Sequence, residues 1–292
     1  MRVTIALIMT WIANYSTAQT TISKLTEDFA FSVKSIDDFI ERFDFYRGTD
    51  FERFFVKNYP ADTLTREKLL LSLFNYRNRN FQGNEDVISF IRDVTDSLYP
   101  KYIFFSDSSW YAELECRVNY REKPESLRLI MRVEIDEEKA MKWSIVTASA
   151  AFLGEDSTAN GTLSFALNNA YMKSRMKDQS RYFLHPVSHA LGFMNIDVLF
   201  SYRRNEFEKY IYEGPRTRQL QQLVELVQDH KISFVDVNAI SYHFLQIDGW
   251  VAIVDYFNRE EMNSGWLINT LFRASNEQKK IYLKQHLHVA SP

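Results

Sequence analysis

The sequence predicts an α+β fold in two tandem domains. Each has N-terminal helices packed on a curved antiparallel sheet, and a C-terminal helix closes the second. Three observations predict this. Helical spacing of apolar residues gives way twice to runs that alternate apolar and polar residues. The order, helices first and strands after, is the same in both halves. Two distant stretches, VEIDEEKAMKWSIV (133–146) and YFNREEMNSGWLIN (256–269), share one plan: a strand-like run, a Glu-Glu turn, and a second strand entered through Trp143 or Trp266.

The chain has 292 residues, 46% of them hydrophobic and 15% aromatic, which is ample core material for two domains. Residues 1–18 read as a secretory signal peptide. Arg2 precedes an apolar run from Val3 to Ala13, and Ser16 and Ala18 stand where a cut before Gln19 needs small residues. The expected location is therefore periplasmic or secreted, with cleavage after Ala18. The run is too short to span a bilayer, and no other segment approaches that length. The single Cys116 can form no internal disulfide, so core burial must hold the exported chain together.

Residues 19–153 form the expected first domain. Ser35 suits a helix N-cap, with Asp37 and Asp38 behind it and Ile36, Phe39, Ile40 and Phe43 at helical spacing. A second helix is expected through TREKLLLSLFNY after Asp62 or Thr63, and a third through NEDVISFIRDVTDSLYP after Asn84. The period then becomes two. In WYAELECRVNY, Trp110, Ala112, Leu114, Cys116, Val118 and Tyr120 share one face. REKPES is a turn, and LRLIMRVEI and MKWSIVTASAAF are further strands. Residues 154–162, GEDSTANGT, read as the linker. Residues 163–292 form the expected second domain. Its helices include RTRQLQQLVELVQD, and its strands are KISFVDV, AISYHFLQ, WVAIVDYF and GWLINTLF, with Asp248-Gly249 as a hairpin turn. Ser275 and Gln278 form a capping box for the closing helix. Lys101–Val118 lies over Lys231–Asp248 without a gap; a hairpin shorter by seven residues follows in the second half, after which Trp143 falls over Trp266.

The helices-then-meander plan of each half resembles the cone-shaped fold of the nuclear transport factor two-like (cystatin-like) superfamily. FLHPVSHALGFMNID, SYHFLQIDGW and NREEMNSGWLI resemble exported proteins of Bacteroidetes over most of the chain after residue 18. Neither resemblance supplies an activity, because the superfamily holds isomerases, dehydratases, binding proteins and adaptors.

Few residues suggest chemistry. His185 and His189 are four apart, a spacing that on a helix could present two imidazoles to a ligand. Pro186 would place His185 at the start of that helix. No third ligand is evident, so no metal is expected. His243 is a third ligand-binding candidate, expected on the outward sheet face as an exposed or interface residue. Asp107 and Asp236, near the starts of corresponding strands, and Tyr242 on the inner face are the catalytic candidates. A buried carboxylate could act as a base once its pKa is tuned, although both Asp residues also suit ordinary strand-edge roles. The sequence has no Gly-rich phosphate loop, no Gly-x-Ser-x-Gly and no His-Glu-x-x-His. No cofactor is expected. With 35 basic and 38 acidic side chains, nucleic acid is not an expected partner.

These readings point first to a non-enzymatic binding or interaction protein whose partner is a protein, a glycan or an apolar small molecule. The other reading is a small-molecule lyase or isomerase of the cone-fold type. The outward residues Leu245, Val251, Ile253 and Phe257 make the second sheet apolar on both faces. That outer face should be covered by the C-terminal helix, by the first domain, or by a second copy in a homo-oligomer. The outward face of the first sheet is polar and is expected to face water.

Overall fold

A computed structural model of the chain describes residues 32–45, 65–81, 85–135, 141–154, 184–186, 192–260 and 263–289. The expected signal peptide, Asn84, Glu137-Glu138, His189 and all of the 154–162 linker beyond Gly154 lie outside these residues.

Among the described residues, three α-helices open the fold: α1 (Ile36–Asp44), α2 (Arg66–Ser72) and α3 (Glu85–Val94). Ser35 caps α1, its hydroxyl accepting the Asp38 N–H at 3.1 Å. Thr65 caps α2, two or three residues later than the sequence suggested. Three strands follow: β1 (Trp110–Tyr120), β2 (Lys123–Ile135) and β3 (Met141–Ser149). The β1–β2 turn narrows to Arg121-Glu122, both with positive φ.

The second half contains the two-residue strands β4 (His185–Pro186) and β5 (Phe193–Met194), then α4 (Ile196–Ser201), a 3₁₀ segment (Arg204–Tyr210) and α5 (Arg218–Gln228). It ends with β6 (Ile232–Phe244), β7 (Trp250–Phe257), β8 (Gly265–Arg273) and α6 (Asn276–Gln285). The Ser275–Gln278 capping box of α6 forms in both directions. KISFVDV and AISYHFLQ, expected as separate strands, are the single strand β6. Its pairing with β1 skips Val235 and Asn238, so Ile232, Phe234, Val237 and Ile240 follow one another toward the core out of simple alternation.

The fold is α+β, with one six-stranded antiparallel sheet in the order β3-β2-β1-β6-β7-β8. One sheet per half was expected; instead the two three-stranded meanders join through β1 and β6. Their pairing centres on Ala112 opposite Tyr242, flanked by Trp110–Phe244 and Leu114–Ile240. The register that lays Lys101 over Lys231 also lays Ala112 over Tyr242, Trp110 over Ile240 and Leu114 over Phe244. The junction therefore has the pairing of a local two-fold axis.

Helices cover the sheet crosswise. From the first half, α1 and α3 pack on β8, with Phe39 stacked on Phe244 at 5.4 Å and Phe90 edge-on to Trp250 at 5.4 Å. From the second half, α5 and the 3₁₀ segment pack on β3. One apolar core runs through both halves. It contains the inward faces read from the sequence, from Trp110 to Val118 and from Ile240 to Val254.

Both sheet edges are covered. The Tyr212 N–H donates to the Ile145 carbonyl of β3 at 2.9 Å, while Val33 and Phe74 bridge Gly265 and Ile268 of β8. Gly265 has φ 90°, and a Cβ there would lie 2.0 Å from the Val33 carbonyl oxygen. Gly265→Ala should therefore cost on the order of 3 kcal/mol by combining backbone strain with a backbone clash. Denaturant unfolding measures this; a cost below about 1 kcal/mol would mean that Val33 does not pair with this edge.

The outer face is covered from within the chain. Leu245 and Val251 are buried under α6 and the residues after it, with Ile253, Phe272, Tyr282 and Leu283 packed alongside. Of the three covers expected for this face, the chain's own C-terminal helix is the one present. The first-half outer face is only partly open to water. Tyr111, Ile130 and Val146 are buried with Leu287 and Val289, while Glu115 and Arg117 are exposed. Ile130, an outward apolar residue in LRLIMRVEI, gives the physical reason: it needs cover as Val251 does.

Candidate functional site

The inner face carries an aromatic cluster centred on Tyr242. Its ring lies 4.8 Å from Trp266, 5.8 Å from Trp110 and 6.2 Å from Trp143. Trp143 also meets Trp110 edge-on at 4.7 Å and Phe193 at 5.3 Å. Alternation along β1, β3, β6 and β8 brings these rings to one side of the sheet.

The polar atoms of this cluster differ in their bonding. The Trp110 Nε1–H donates to the Phe105 carbonyl at 3.0 Å, and the Trp250 Nε1–H to Asp93 at 3.0 Å. The Tyr242 hydroxyl and the Trp143 Nε1–H are buried and have no hydrogen-bond partner among the described residues. Burial pushes the Tyr242 phenol well above its usual range, and the charge of Asp37 adds to this. The hydroxyl therefore stays protonated and can only serve as a neutral group.

A second polar cluster lies on the outer face beneath α6. His243 is 4% exposed. Its Nε2 lies 3.1 Å from Glu113 Oε2, and its Nδ1 lies 2.7 Å from the Tyr282 hydroxyl. The Nε2 contact lacks hydrogen-bond geometry, so the directed hydrogen bond of the ring is the one between Nδ1 and the Tyr282 hydroxyl. The other Glu113 oxygen pairs with Arg128 Nε, and Arg128 also donates to the His286 carbonyl at 2.7 Å. Burial raises the Glu113 pKa, but the neighbouring His243 and Arg128 outweigh it and bring the carboxyl to about 2.

A hydroxyl, an imidazole and a carboxylate in this order resemble an activated nucleophile. The electrostatics oppose that role. Burial and the charge of Glu113 push the Tyr282 phenol up, away from the phenolate. Lys279, also from α6, donates to the Leu245 and Ile247 carbonyls at 2.7 Å each. These contacts anchor α6 to the sheet.

The remaining candidates are dispersed. Asp107 Oδ1 accepts the Ser109 N–H at 2.6 Å, forming a turn before β1. Asp236 faces water opposite Arg117, whose Nε donates to it at 2.7 Å and whose hydrogen bond holds the carboxyl below its usual range. Neither acid reaches Tyr242. His185 belongs to a short strand paired with Met194, so the helix start expected at Pro186 is corrected to β4. His243 was expected outward, exposed or at an interface; it is outward and buried at the contact with α6, so the exposed alternative is corrected. Cys116 is buried, and burial first, with Asp236 and Glu115 adding, raises its thiol to about 12, an inert state.

Sequence reasoning missed the roles of Glu113, Arg128, Tyr282 and Trp143. The repeat register already set Glu113 against His243, and it was the one signal that could have found this cluster.

Among the described residues, no group of three or more His, Cys, Asp and Glu side chains is placed to hold a metal, and no helix is long and apolar enough to cross a membrane. No protein-family model matches the chain, and comparisons with curated proteins and with solved structures give no significant match.

Proposed function

We propose that this chain is an exported, non-enzymatic binding protein for a neutral, largely apolar small molecule bearing a hydrogen-bond acceptor. The inner aromatic face is the proposed binding surface. One observation carries the reading: the Tyr242 hydroxyl and the Trp143 Nε1–H are buried in one aromatic cluster without partners among the described residues. Buried donors normally find partners. A ligand carbonyl would supply the missing acceptor, and the surrounding rings suit an apolar body. The lyase or isomerase reading requires an acid hydrogen-bonded to Tyr242; Asp37 acts on the phenol through its charge, but neither it, Asp107 nor Asp236 bonds the hydroxyl among the described residues.

Two further parts belong to this proposal. The halves are a duplicated cone-like unit fused edge to edge, which the two-fold register of β1 and β6 supports. Residues 1–18 direct export, so N-terminal sequencing of the secreted protein should begin at Gln19; finding Met1 refutes export by cleavage.

The binding reading is tested on the full chain with a matched pair of probes, acetophenone and ethylbenzene, which differ in the acceptor. Acetophenone should bind at least tenfold more tightly to the wild type. Tyr242→Phe should remove most of that preference and also raise the melting temperature, because it deletes an unpaired buried hydroxyl. A lower melting temperature with unchanged probe binding would refute the proposal.

A further inference from the structure

The loop between α3 and β1 holds large apolar side chains out in water. Leu98 is 78% exposed, Tyr99 79%, Phe104 52% and Tyr102 42%. Residues 96–100 are all exposed, and the excursion closes where the Lys101 N–H donates to the Val94 carbonyl at 3.0 Å. The tip is therefore a convex projection.

The projection is held in shape from both sides. Asp96 Oδ1 accepts the Leu98 and Tyr99 N–H groups at 2.8 Å each, and these bonds keep its carboxyl below the usual range. Pro100 has no N–H to satisfy. Arg66 of α2 closes the base. Its guanidinium donates to the Phe43 and Val94 carbonyls at 3.1 Å each and to the Lys101 carbonyl, and lies 4.3 Å over the Tyr102 ring. The Gln246 side chain accepts the Phe104 N–H at 2.7 Å and donates to the Phe104 carbonyl at 3.3 Å.

This geometry selects the kind of partner. Every backbone N–H from Leu98 to Lys101 is engaged within the protein, so burying the tip in an apolar medium strands no donor. The same engagement leaves little to offer the hydroxyls of a glycan. A convex tip lacks the broad self-complementary surface that a contact between two copies needs. A bilayer takes a convex tip without a matching pocket. The side chains also follow the layers of a lipid interface, with Leu98 and Tyr99 outermost and the cations Arg66 and Lys101 at the base. Lys101 Nζ donates to the Asp248 carbonyl at 3.0 Å and lies 3.9 Å from its carboxylate. With Lys101 so matched and Arg66 on carbonyls, the attraction is apolar rather than one of net charge.

We propose that the 96–104 loop is a membrane-surface anchor, in which Leu98 and Tyr99 enter the headgroup boundary of a phospholipid bilayer without crossing it. The proposal uses none of the groups that carry the inner-face reading.

The test mixes the full chain with phosphatidylcholine vesicles and measures co-sedimentation. The wild type should bind, and high salt should leave the binding in place. Replacing both tip residues, Leu98→Ser with Tyr99→Ser, should weaken it roughly tenfold or more. The melting temperature should stay unchanged, since both side chains are exposed. Leu98→Trp places a reporter at the tip. Its added fluorescence, relative to the wild type, should shift to shorter wavelength on vesicles and be quenched by brominated lipid. Any binding through the apolar run Val3–Ala13 is common to wild type and variants, so these comparisons isolate the tip. Equal vesicle binding by the wild type and the double variant, or no added quenching from residue 98, would overturn the proposal. So would a wild-type dimer that the double variant abolishes, which would assign the tip to a second copy.

Discussion

Replacing Trp143 or Trp266 with alanine is expected to cost roughly 3–5 kcal/mol in denaturant unfolding, the usual range for emptying a buried tryptophan site. Trp143 is 2% exposed and Trp266 1%. Both pack against Tyr242 from opposite sides of the β1–β6 junction, Trp143 from β3 and Trp266 from β8. Because they share that neighbour, the double variant should cost less or more than the sum of the singles. Phenylalanine in place of Trp143 should be cheaper than alanine for two reasons. It refills most of the volume, and it removes an indole N–H that has no partner among the described residues. A loss below about 1 kcal/mol for either alanine variant would mean that the side chain is exposed and that the correspondence between the halves is false.

Strand β1 shows why so much of the fold was legible. From Trp110 to Tyr120 its apolar residues alternate, and alternation is a local property that survives in any context. The caps at Ser35 and Ser275 were legible for the same reason, since a side chain bonds a backbone N–H three residues away. The joining of the meanders was not legible. Pairing of Cys116 with Val237 joins segments far apart in the chain, and nothing local to either strand names its partner. The skipped residues Val235 and Asn238 also broke the alternation of β6 and made one strand read as two.

The polar clusters were obscured in another way. SNEQKKIYLKQHL is polar nearly all round, and only Lys279 of α6 is buried, so the helix does not announce which face it covers. Its attachment is polar and tertiary: Lys279 to two carbonyls, Tyr282 to His243, and the His286 carbonyl to Arg128. Placing His243 outward was a matter of parity along β6. Knowing that it is buried required knowing where α6 returns, which is a long-range fact.

Acid should loosen α6, and Glu113 should account for a measurable share of the effect. The Glu113 carboxyl is held at about 2 against an ordinary 4.5. A depressed folded-state pKa stabilises the fold above the unfolded value, and the contribution is lost as pH falls toward the folded one. The window is therefore about pH 4.5 down to about pH 2. The full difference corresponds to about 3 kcal/mol. The Glu113 side chain is 19% exposed, so solvent screening reduces the expected contribution to about 2 kcal/mol. Glu113→Gln should then be less stable than the wild type by about 2 kcal/mol at pH 7, and the gap should close as the pH approaches 2. Other carboxylates also titrate in this range, so the difference between variant and wild type isolates Glu113. Hydrogen exchange locates the effect: amides of α6 should lose protection before those of β1, because Glu113 holds His243 and Arg128, and these hold Tyr282 and the His286 carbonyl. Stability curves that stay parallel between pH 4.5 and 2 would show that Glu113 does not anchor the helix.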